Sequence, residues 1–201
     1  MSKLKPIDTV CVYCGASNAA DPDFIQAATQ FGKQLAAEGV RLVYGGGGVG
    51  LMGACARAVH TNGGVVLGVM PDFLRTREVL YDDVETIVVK TMHERKTIMY
   101  EEADAFVVLP GGIGTLEEVV ELMSWARLAL HKKPIVFLNL KGYWQPLFDL
   151  LTHTVEAKMT PAAFMDTWRS VDTVEELLPR VRAMAAGVDA QADAPEMPAV
   201  T

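Results

Sequence analysis

The sequence has few of the features that mark secreted, membrane-spanning or nucleic-acid-binding proteins. It contains 3 cysteines in 201 residues, too few for the disulfide framework of a small secreted domain. No apolar run is as long as a membrane span, and the start, MSKLKPIDTV, has no apolar signal region. The net charge of −7 disfavours a partner with a phosphate backbone. We therefore expect a cytoplasmic protein that binds neither a membrane nor a nucleic acid.

The cysteines and histidines do not form a pattern typical of a metal site. Cys11 and Cys14 have the C-x-x-C spacing, but they lie in DTVCVYCGAS, which has the composition of a strand. Residues three apart on a strand point to opposite faces, so we predict that both are buried core residues. Cys55 has no partner cluster, and the 4 histidines are scattered. We predict no bound metal.

Half of the residues are hydrophobic, and apolar β-branched runs alternate with helical patterns. The strand-like runs cover 8–14, 40–44, 65–69, 84–89, 105–109 and 134–139, and WRSV is a candidate edge strand. The helical patterns cover 22–38, 48–61, 91–103 and 115–130, with two more in GYWQPLFDLLTHTVEAKM and VDTVEELLPRVRAMAA. This alternation predicts an α/β fold, a parallel sheet with helices on both faces. We predict one domain over residues 1–186 and a disordered tail over 187–201.

A run of four glycines follows the second predicted strand, in VYGGGGVGLMG. Gly48, Gly50 and Gly53 satisfy G-x-G-x-x-G, and Asp72 follows at the spacing of a dinucleotide-binding fingerprint. That match would indicate an oxidoreductase with a nicotinamide or flavin cofactor. The fingerprint normally follows the first strand of the fold, however. We prefer a tight turn that lets a helix pack closely and a ligand approach the backbone.

A second glycine-rich turn opens the helix in VVLPGGIGTLEEVVELMSW. Such turns typically bind an anion, because free backbone N–H groups and the positive end of the helix point at it. Two carboxylates, Glu117 and Glu118, nevertheless follow directly. Thr115 and Glu118 have the spacing of a capping box, which would need no ligand. A capping box does not require the preceding glycines, and these have an entropic cost that a plain cap avoids, which argues for a ligand.

The segment VVKTMHERKTIMYEEAD predicts another helix, with Thr91 and Glu94 as a capping box. Arg95 and Lys96 then lie in its first two turns, where the helix dipole disfavours cations. Either these two side chains are solvated, or an anionic partner faces them. The residues alone leave both interpretations open.

PGGIGTLEE and the upstream MHERK together resemble the signature of the "lonely guy" (LOG) family, P-G-G-x-G-T-x-x-E. CVYCGAS, LVYGGGGVGLMG, SWARLALHKKPIVFLN and GYW also agree with that family. The resemblance implies a Rossmann-like fold, a homodimer and a phosphoribohydrolase. Such an enzyme cleaves the N-glycosidic bond of a cytokinin riboside 5′-monophosphate or of AMP, and releases the free base and ribose 5-phosphate. Related proteins are often labelled lysine decarboxylases, but the sequence gives no basis for a pyridoxal phosphate Schiff base.

The resemblance also implies the site residues, with no cofactor. Arg95 and Glu118 are the implied catalytic pair. Contacts to the nucleoside monophosphate are expected at Glu78, Lys96, Gly111, Gly112, Ile113, Gly114, Thr115, Leu116, Glu117 and Ser124. We expect the 5′-phosphate to lie on the N–H groups of Gly111 to Thr115, with Glu118 facing the ribose. The alternative is a carrier on the same fold that binds a nucleotide or cofactor without cleaving it.

Overall fold

Seven strands form one parallel sheet in the computed structural model, which describes residues 7–76 and 78–188. The strands are β1 (Thr9–Tyr13), β2 (Arg41–Tyr44), β3 (Val66–Pro71), β4 (Glu85–Val89), β5 (Ala105–Val108), β6 (Ile135–Leu138) and β7 (Arg169–Val171). The helices are α1 (Pro22–Ala37), α2 (Gly50–Thr61), α3 (Met92–Glu102), α4 (Ile113–Arg127), α5 (Gln145–Glu156) and α6 (Leu177–Ala185). Short 3-10 turns cover Asp72–Leu74, Leu140–Gly142 and Ala162–Thr167.

Helices cover both faces of the sheet, which explains why its central strands are apolar at most positions. All residues of β1, β3, β5 and β6 are buried. One core cluster joins the sheet to α1, α2 and α6, and includes Phe31, Leu51 and Leu177. The other joins the opposite face to α3, α4 and α5, and includes Met99, Val119 and Phe148. The predicted α/β architecture is therefore confirmed.

The two cysteines of the C-x-x-C segment lie on opposite sides of this sheet. Cys11 belongs to the cluster beneath α3, α4 and α5, and Cys14 to the cluster beneath α1, α2 and α6. Both are buried free thiols, as is Cys55. The prediction of two core residues is confirmed, and their separation follows from the two-residue period of a strand.

The predicted helices and strands are present with shifts at their ends, the largest at α6, which begins at Leu177 and not at Val171, and WRSV does contain the edge strand β7. The important difference is at α4, which begins at Ile113 with Gly112 as its N-cap. The predicted tail lies outside the described residues from 189 onward. Across the described ranges, no helix combines the length and apolar character that a membrane span requires.

The strand order β4-β3-β2-β1-β5-β6-β7 places β1 between β2 and β5. The chain therefore builds one half of the sheet outward from β1 and then returns to the other side of β1 to build the second half. In open α/β sheets, ligands bind at such a reversal, outside the carboxyl ends of the strands. Both glycine-rich turns lie there, because they follow β2 and β5.

Candidate active site

Three turns meet at the carboxyl ends of β1, β2 and β5. The Gly15 N–H, just after β1, donates to the carbonyl of Pro110 at 3.0 Å. The Gly15 carbonyl in turn accepts a hydrogen bond from the Leu51 N–H, also at 3.0 Å. Backbone contacts thus hold the start of α2 and the turn before α4 against the end of β1.

Arg95, in the first turn of α3, points from this edge into the protein. The predicted capping box is confirmed: the Glu94 N–H donates to Thr91 Oγ1, and the Glu94 carboxylate accepts from the Thr91 N–H. Glu94 is therefore engaged at the helix end, while Arg95 is 3% exposed. Its Nη2 donates to the Gly45 carbonyl at 3.2 Å. A solvated face is thus the wrong interpretation for Arg95.

Two carboxylates lie close to the buried guanidinium. Glu118 Oε1 is 3.6 Å from Arg95 Nη1, and Glu78 Oε2 is 3.9 Å from Arg95 Nη2. In the described part of the chain, Arg95 Nε and Glu78 Oε2 are buried and have no hydrogen-bond partner. Buried polar atoms normally have partners, so these two mark a place where a ligand or water would bind.

Glu118 does not cap a helix. It lies within α4 and is 6% exposed. Thr115 is the third residue of α4 and therefore does not occupy the N-cap position. No side chain caps α4, because Gly112 occupies the N-cap position. The capping-box interpretation of Thr115 and Glu118 is therefore wrong, and Glu118 is a buried carboxyl group facing Arg95.

Burial changes the acidity of both carboxyl groups. Loss of solvent raises the pKa of Glu118 to about 7, although the neighbouring Arg95 acts in the opposite direction. Burial also raises the pKa of Glu78, again opposed by Arg95. Glu118 consequently titrates near neutrality, where a small change in its surroundings can add or remove its charge.

The loop after β3 brings Glu78 to the site. The Gly48 N–H donates to the Val79 carbonyl at 2.6 Å, and the Tyr81 N–H donates to the Gly46 carbonyl at 3.2 Å. The loop is therefore fastened to the glycine run along its backbone. This docking places Glu78 beside Arg95.

The glycine run is required by the packing of the protein itself. A Cβ atom on Gly45 would lie 2.0 Å from Arg95 Nη2, and one on Gly53 would lie 2.2 Å from the Gly48 carbonyl oxygen. Gly50 has φ +57° and lies against the backbone of Ala16 and Ser17. These contacts explain the glycines as a tight turn around Arg95 and α2.

The turn before α4 leaves an anion-accepting helix end open. The N–H groups of Ile113, Gly114 and Thr115 lie in the first turn of α4, where no carbonyl of the helix can accept from them. Gly112 and Gly114 are exposed, and nothing lies within 4 Å of where their Cβ atoms would be. The partial positive charge of the helix favours an anion here.

Lys96 forms a separate charged group next to Arg95. Its Nζ lies 2.6 Å from Glu117 Oε1 and 2.7 Å from Glu121 Oε2. Burial opposes its charge, but these two hydrogen bonds raise the pKa of Lys96 overall. Glu121 is not among the site residues predicted from the sequence, although its spacing of four residues from Glu117 places both on one helix face.

Leu116 and Ser124 are two further predicted contact residues, and both lie on α4. Leu116 is partly buried and packs against the core cluster beneath α3, α4 and α5. Ser124 is exposed near the far end of α4.

Within the described residues, no group of three or more His, Cys, Asp or Glu side chains is arranged to hold a metal ion.

The family model that matches this chain and the relatives that are similar in sequence carry different enzymatic names. A family model described as "Possible lysine decarboxylase" matches residues 52–181. A "Probable cytokinin riboside 5′-monophosphate phosphoribohydrolase" of Oryza sativa subsp. japonica is 43% identical over 182 residues, which cover 90% of this chain and 79% of that protein. A cytokinin riboside 5′-monophosphate phosphoribohydrolase of Arabidopsis thaliana is 45% identical over 148 residues, which cover 73% of this chain and 68% of that protein.

Solved structures with the same fold include proteins named as cofactor carriers. The molybdenum cofactor carrier protein of Chlamydomonas reinhardtii gives a TM-score of 0.68 at 21% identity, covering 90% of this chain and 99% of that one. The molybdenum cofactor binding protein of Rippkaea orientalis gives 0.65 at 22% identity, covering 89% and 98%. This likeness extends to the fold, which is Rossmann-like.

We predict that Glu118→Gln stabilises the folded protein above neutral pH. The pKa of Glu118 is 4.5 when unperturbed and about 7 in the folded state, so the folded state binds more protons between these values and loses stability as the pH rises. The pKa of about 7 already includes the attraction of Arg95, so the ionised Glu118 has a net cost in the folded state. Removing the ionisable group should therefore raise the free energy of unfolding by on the order of 1–3 kcal/mol at about pH 8, and by much less at about pH 5. Urea denaturation at both pH values measures this.

The control is Glu156→Gln, at an exposed position on α5. It should change the free energy of unfolding by less than about 0.5 kcal/mol at either pH. A Glu118→Gln protein less stable than the wild type at about pH 8 would contradict the prediction.

Proposed function

The chain belongs to the family of the cytokinin riboside 5′-monophosphate phosphoribohydrolases, and we propose that it hydrolyses the N-glycosidic bond of a purine riboside 5′-monophosphate. The substrate is a cytokinin riboside 5′-monophosphate, AMP or both, and the products are the free base and ribose 5-phosphate. The observation that carries this proposal is the buried pair of Arg95 and Glu118, 3.6 Å apart, beside an uncapped helix end.

The uncapped start of α4 is suited to the 5′-phosphate. The N–H groups of the turn from Gly111 to Thr115 would donate to the phosphate oxygens, and each charge-assisted bond contributes roughly 1.5–3 kcal/mol. Glu118 follows Thr115 by three residues, about 4.5 Å further along the helix axis. This offset would separate the carboxyl group from the phosphate and bring it toward the ribose.

The carboxylate form of Glu118 is the form that the reaction requires. When the C1′–N9 bond breaks, its electron pair leaves with the base and the sugar becomes oxocarbenium-like. A buried carboxylate stabilises this positive charge more in the transition state than in the ground state. The oxygen of a water molecule then bonds to C1′, and the proton that this water loses balances the one that the released base gains. The carboxylate of Glu118 is also suited to accept the proton that this water loses.

Arg95 would act by charge and position. A guanidinium stays protonated, so it is a poor general acid. The Nε of Arg95 is buried and has no partner among the described residues, which makes it available to a substrate oxygen or to the leaving base. The opposite edge of the guanidinium is held by Gly45, Glu78 and Glu118.

The decarboxylase description of the family model does not suit the lysine at this site. A pyridoxal phosphate Schiff base requires a neutral lysine amine to form. Lys96 instead has a raised pKa and contacts two carboxylates. A carrier would need the glycine-rich turn but not a buried acid, so Arg95 and Glu118 favour the hydrolase over the carrier.

The outer face of α4 supports the proposal of a homodimer. Ile113, Val120 and Leu128 are 83%, 45% and 56% exposed, at intervals of seven and eight residues that place them on one side of the helix. Ser124 follows Val120 by four residues and lies on the same side. A second copy of the chain covering this face would also place Ser124 near an interface.

The unpaired cysteines suit a reducing compartment, and we place the enzyme in the cytoplasm.

We expect the purified protein to release free base and ribose 5-phosphate from AMP, from isopentenyladenosine monophosphate or from both. Chromatography of each reaction measures the two products and ranks the substrates. Glu118→Gln should lower turnover by about a hundredfold or more, while binding of ribose 5-phosphate remains. Glu156→Gln is the matched control and should keep wild-type turnover. If no nucleotide releases base while phosphate-dependent binding is present, the protein is a carrier.

We also expect turnover to rise with pH through about 7, because Glu118 loses its proton there and acts as the carboxylate. The ratio kcat/KM, measured between about pH 5 and 9, gives the profile, because this ratio reports the ionisation of the enzyme before the nucleotide binds. The residual rate of Glu118→Gln should lack this rise. A wild-type rate that instead falls through about 7 would identify the protonated Glu118 as the active form.

The proposed dimer predicts that charges on the outer face of α4 separate the subunits. Analytical ultracentrifugation should give twice the chain mass of 21.8 kDa for the wild type and the single mass for a Val120→Glu, Leu128→Glu double variant. Leu150→Glu, at a 57% exposed position on α5, should remain dimeric. A monomeric wild type, or equal dissociation of the α5 variant, would reject this interface.

A further inference from the structure

We propose that Tyr143 is a positioning residue that orients the phosphate-binding turn through the carbonyl group of Gly111. The inference rests on the proposed function, since it concerns how that turn is prepared for the 5′-phosphate. Tyr143 follows β6 and the 3-10 turn Leu140–Gly142, and its hydroxyl donates to the Gly111 carbonyl oxygen at 2.7 Å. Tyr143 thus joins the segment after β6 to the turn after β5.

This hydrogen bond fixes the direction of one peptide group. In a trans peptide the C=O and N–H groups point in opposite directions. Tyr143 draws the Gly111 carbonyl to its own side, so the N–H of Gly112 points away from Tyr143. The preceding peptide is held in the same manner, because the Pro110 carbonyl accepts from the Gly15 N–H at 3.0 Å. Two successive carbonyl oxygens of the turn are therefore engaged by protein donors.

The direction of these carbonyl groups matters for anion binding. A carbonyl oxygen turned toward a phosphate would repel it, whereas an N–H group would donate to it. Gly112 has no side chain, and no atom lies within 4 Å of where its Cβ would be, so side-chain packing does not restrict the turn at this residue. Tyr143 supplies a restraint that the local sequence lacks.

The ring of Tyr143 is held by contacts that do not involve its hydroxyl. It packs edge-on against Phe24 and Trp144, with ring centroids 5.2 and 5.0 Å away. Lys141 joins the same segment to the start of α1 through Asp21 at 2.9 Å and Asp23 at 2.5 Å. Replacing Tyr143 by phenylalanine should therefore remove the hydrogen bond and leave the ring in place.

The test is equilibrium binding of ribose 5-phosphate and of adenosine to the wild type, Tyr143→Phe and Tyr100→Phe. Adenosine has the base and ribose but no phosphate. For Tyr143→Phe, we expect the dissociation constant of ribose 5-phosphate to rise about threefold to tenfold and that of adenosine to change less than about twofold, as loss of one neutral hydrogen bond predicts. Tyr100→Phe removes a hydroxyl elsewhere, on α3, and should change neither constant.

Kinetics provide a second readout on the same variants. With AMP, Tyr143→Phe should raise KM about threefold to tenfold, with kcat within about twofold of wild type and the pH at half-maximal kcat unchanged, because Glu118 is not altered. A merely structural role would instead lower kcat together with the thermal midpoint.

Unchanged ribose 5-phosphate binding in Tyr143→Phe would overturn the proposal, as would equal weakening of adenosine binding. The hydrolase is tested separately. A wild type that binds ribose 5-phosphate but releases no base would overturn the hydrolase, and the binding comparison would still decide the role of Tyr143. A wild type that does not bind ribose 5-phosphate would overturn both.

Discussion

The burial of one positive charge constrains the rest of this site. Arg95 is almost fully enclosed, and a buried guanidinium is strongly unfavourable unless nearby groups compensate it. The Gly45 carbonyl and the carboxyl groups of Glu78 and Glu118 surround it. Each of the three comes from a different segment, so the glycine run, the loop after β3 and α4 must all be in place before Arg95 can be accommodated. The order of the strands makes this possible by bringing those segments to one edge of the sheet.

The same requirement explains residues that look like parts of another binding site. Gly48, Gly50 and Gly53 match a dinucleotide fingerprint, but the close contacts at Gly45, Gly50 and Gly53 are made by the protein itself. Arg95 fills the space beside Gly45, and the loop that carries Glu78 hydrogen-bonds to Gly46 and Gly48. A glycine pattern alone therefore does not distinguish a turn that binds a ligand from one that admits a buried side chain.

The fold could be predicted from the sequence because continuous apolar runs alternate with helical patterns, and the Thr91 and Glu94 capping box could be predicted because it is local. Less of the site could be predicted from the sequence. The residues alone did not decide whether Arg95 is solvated or faces an anion, and a local pattern at Thr115 and Glu118 suggested a helix cap. The true N-cap, Gly112, depends on the backbone of the turn. Glu78 depends on how a loop docks, and Tyr143 contacts Gly111 across 32 residues of sequence. The family resemblance implied Arg95, Glu118 and Glu78 as site residues, and the structure brings them together, whereas the contact of Tyr143 required the structure.

The site divides two electrostatic tasks between different kinds of group. A phosphate is permanently charged, and fixed N–H dipoles bind it without titrating. The positive charge of the sugar is transient, so the group opposing it is most effective where water is excluded and electrostatic interactions are stronger. Exclusion of water also raises the pKa of that group, and burial alone would leave Glu118 protonated. Arg95 opposes this shift and leaves the pKa of Glu118 at about 7. The buried cation thus keeps a shielded carboxyl group able to ionise near neutral pH, which neither burial nor exposure of Glu118 alone would achieve.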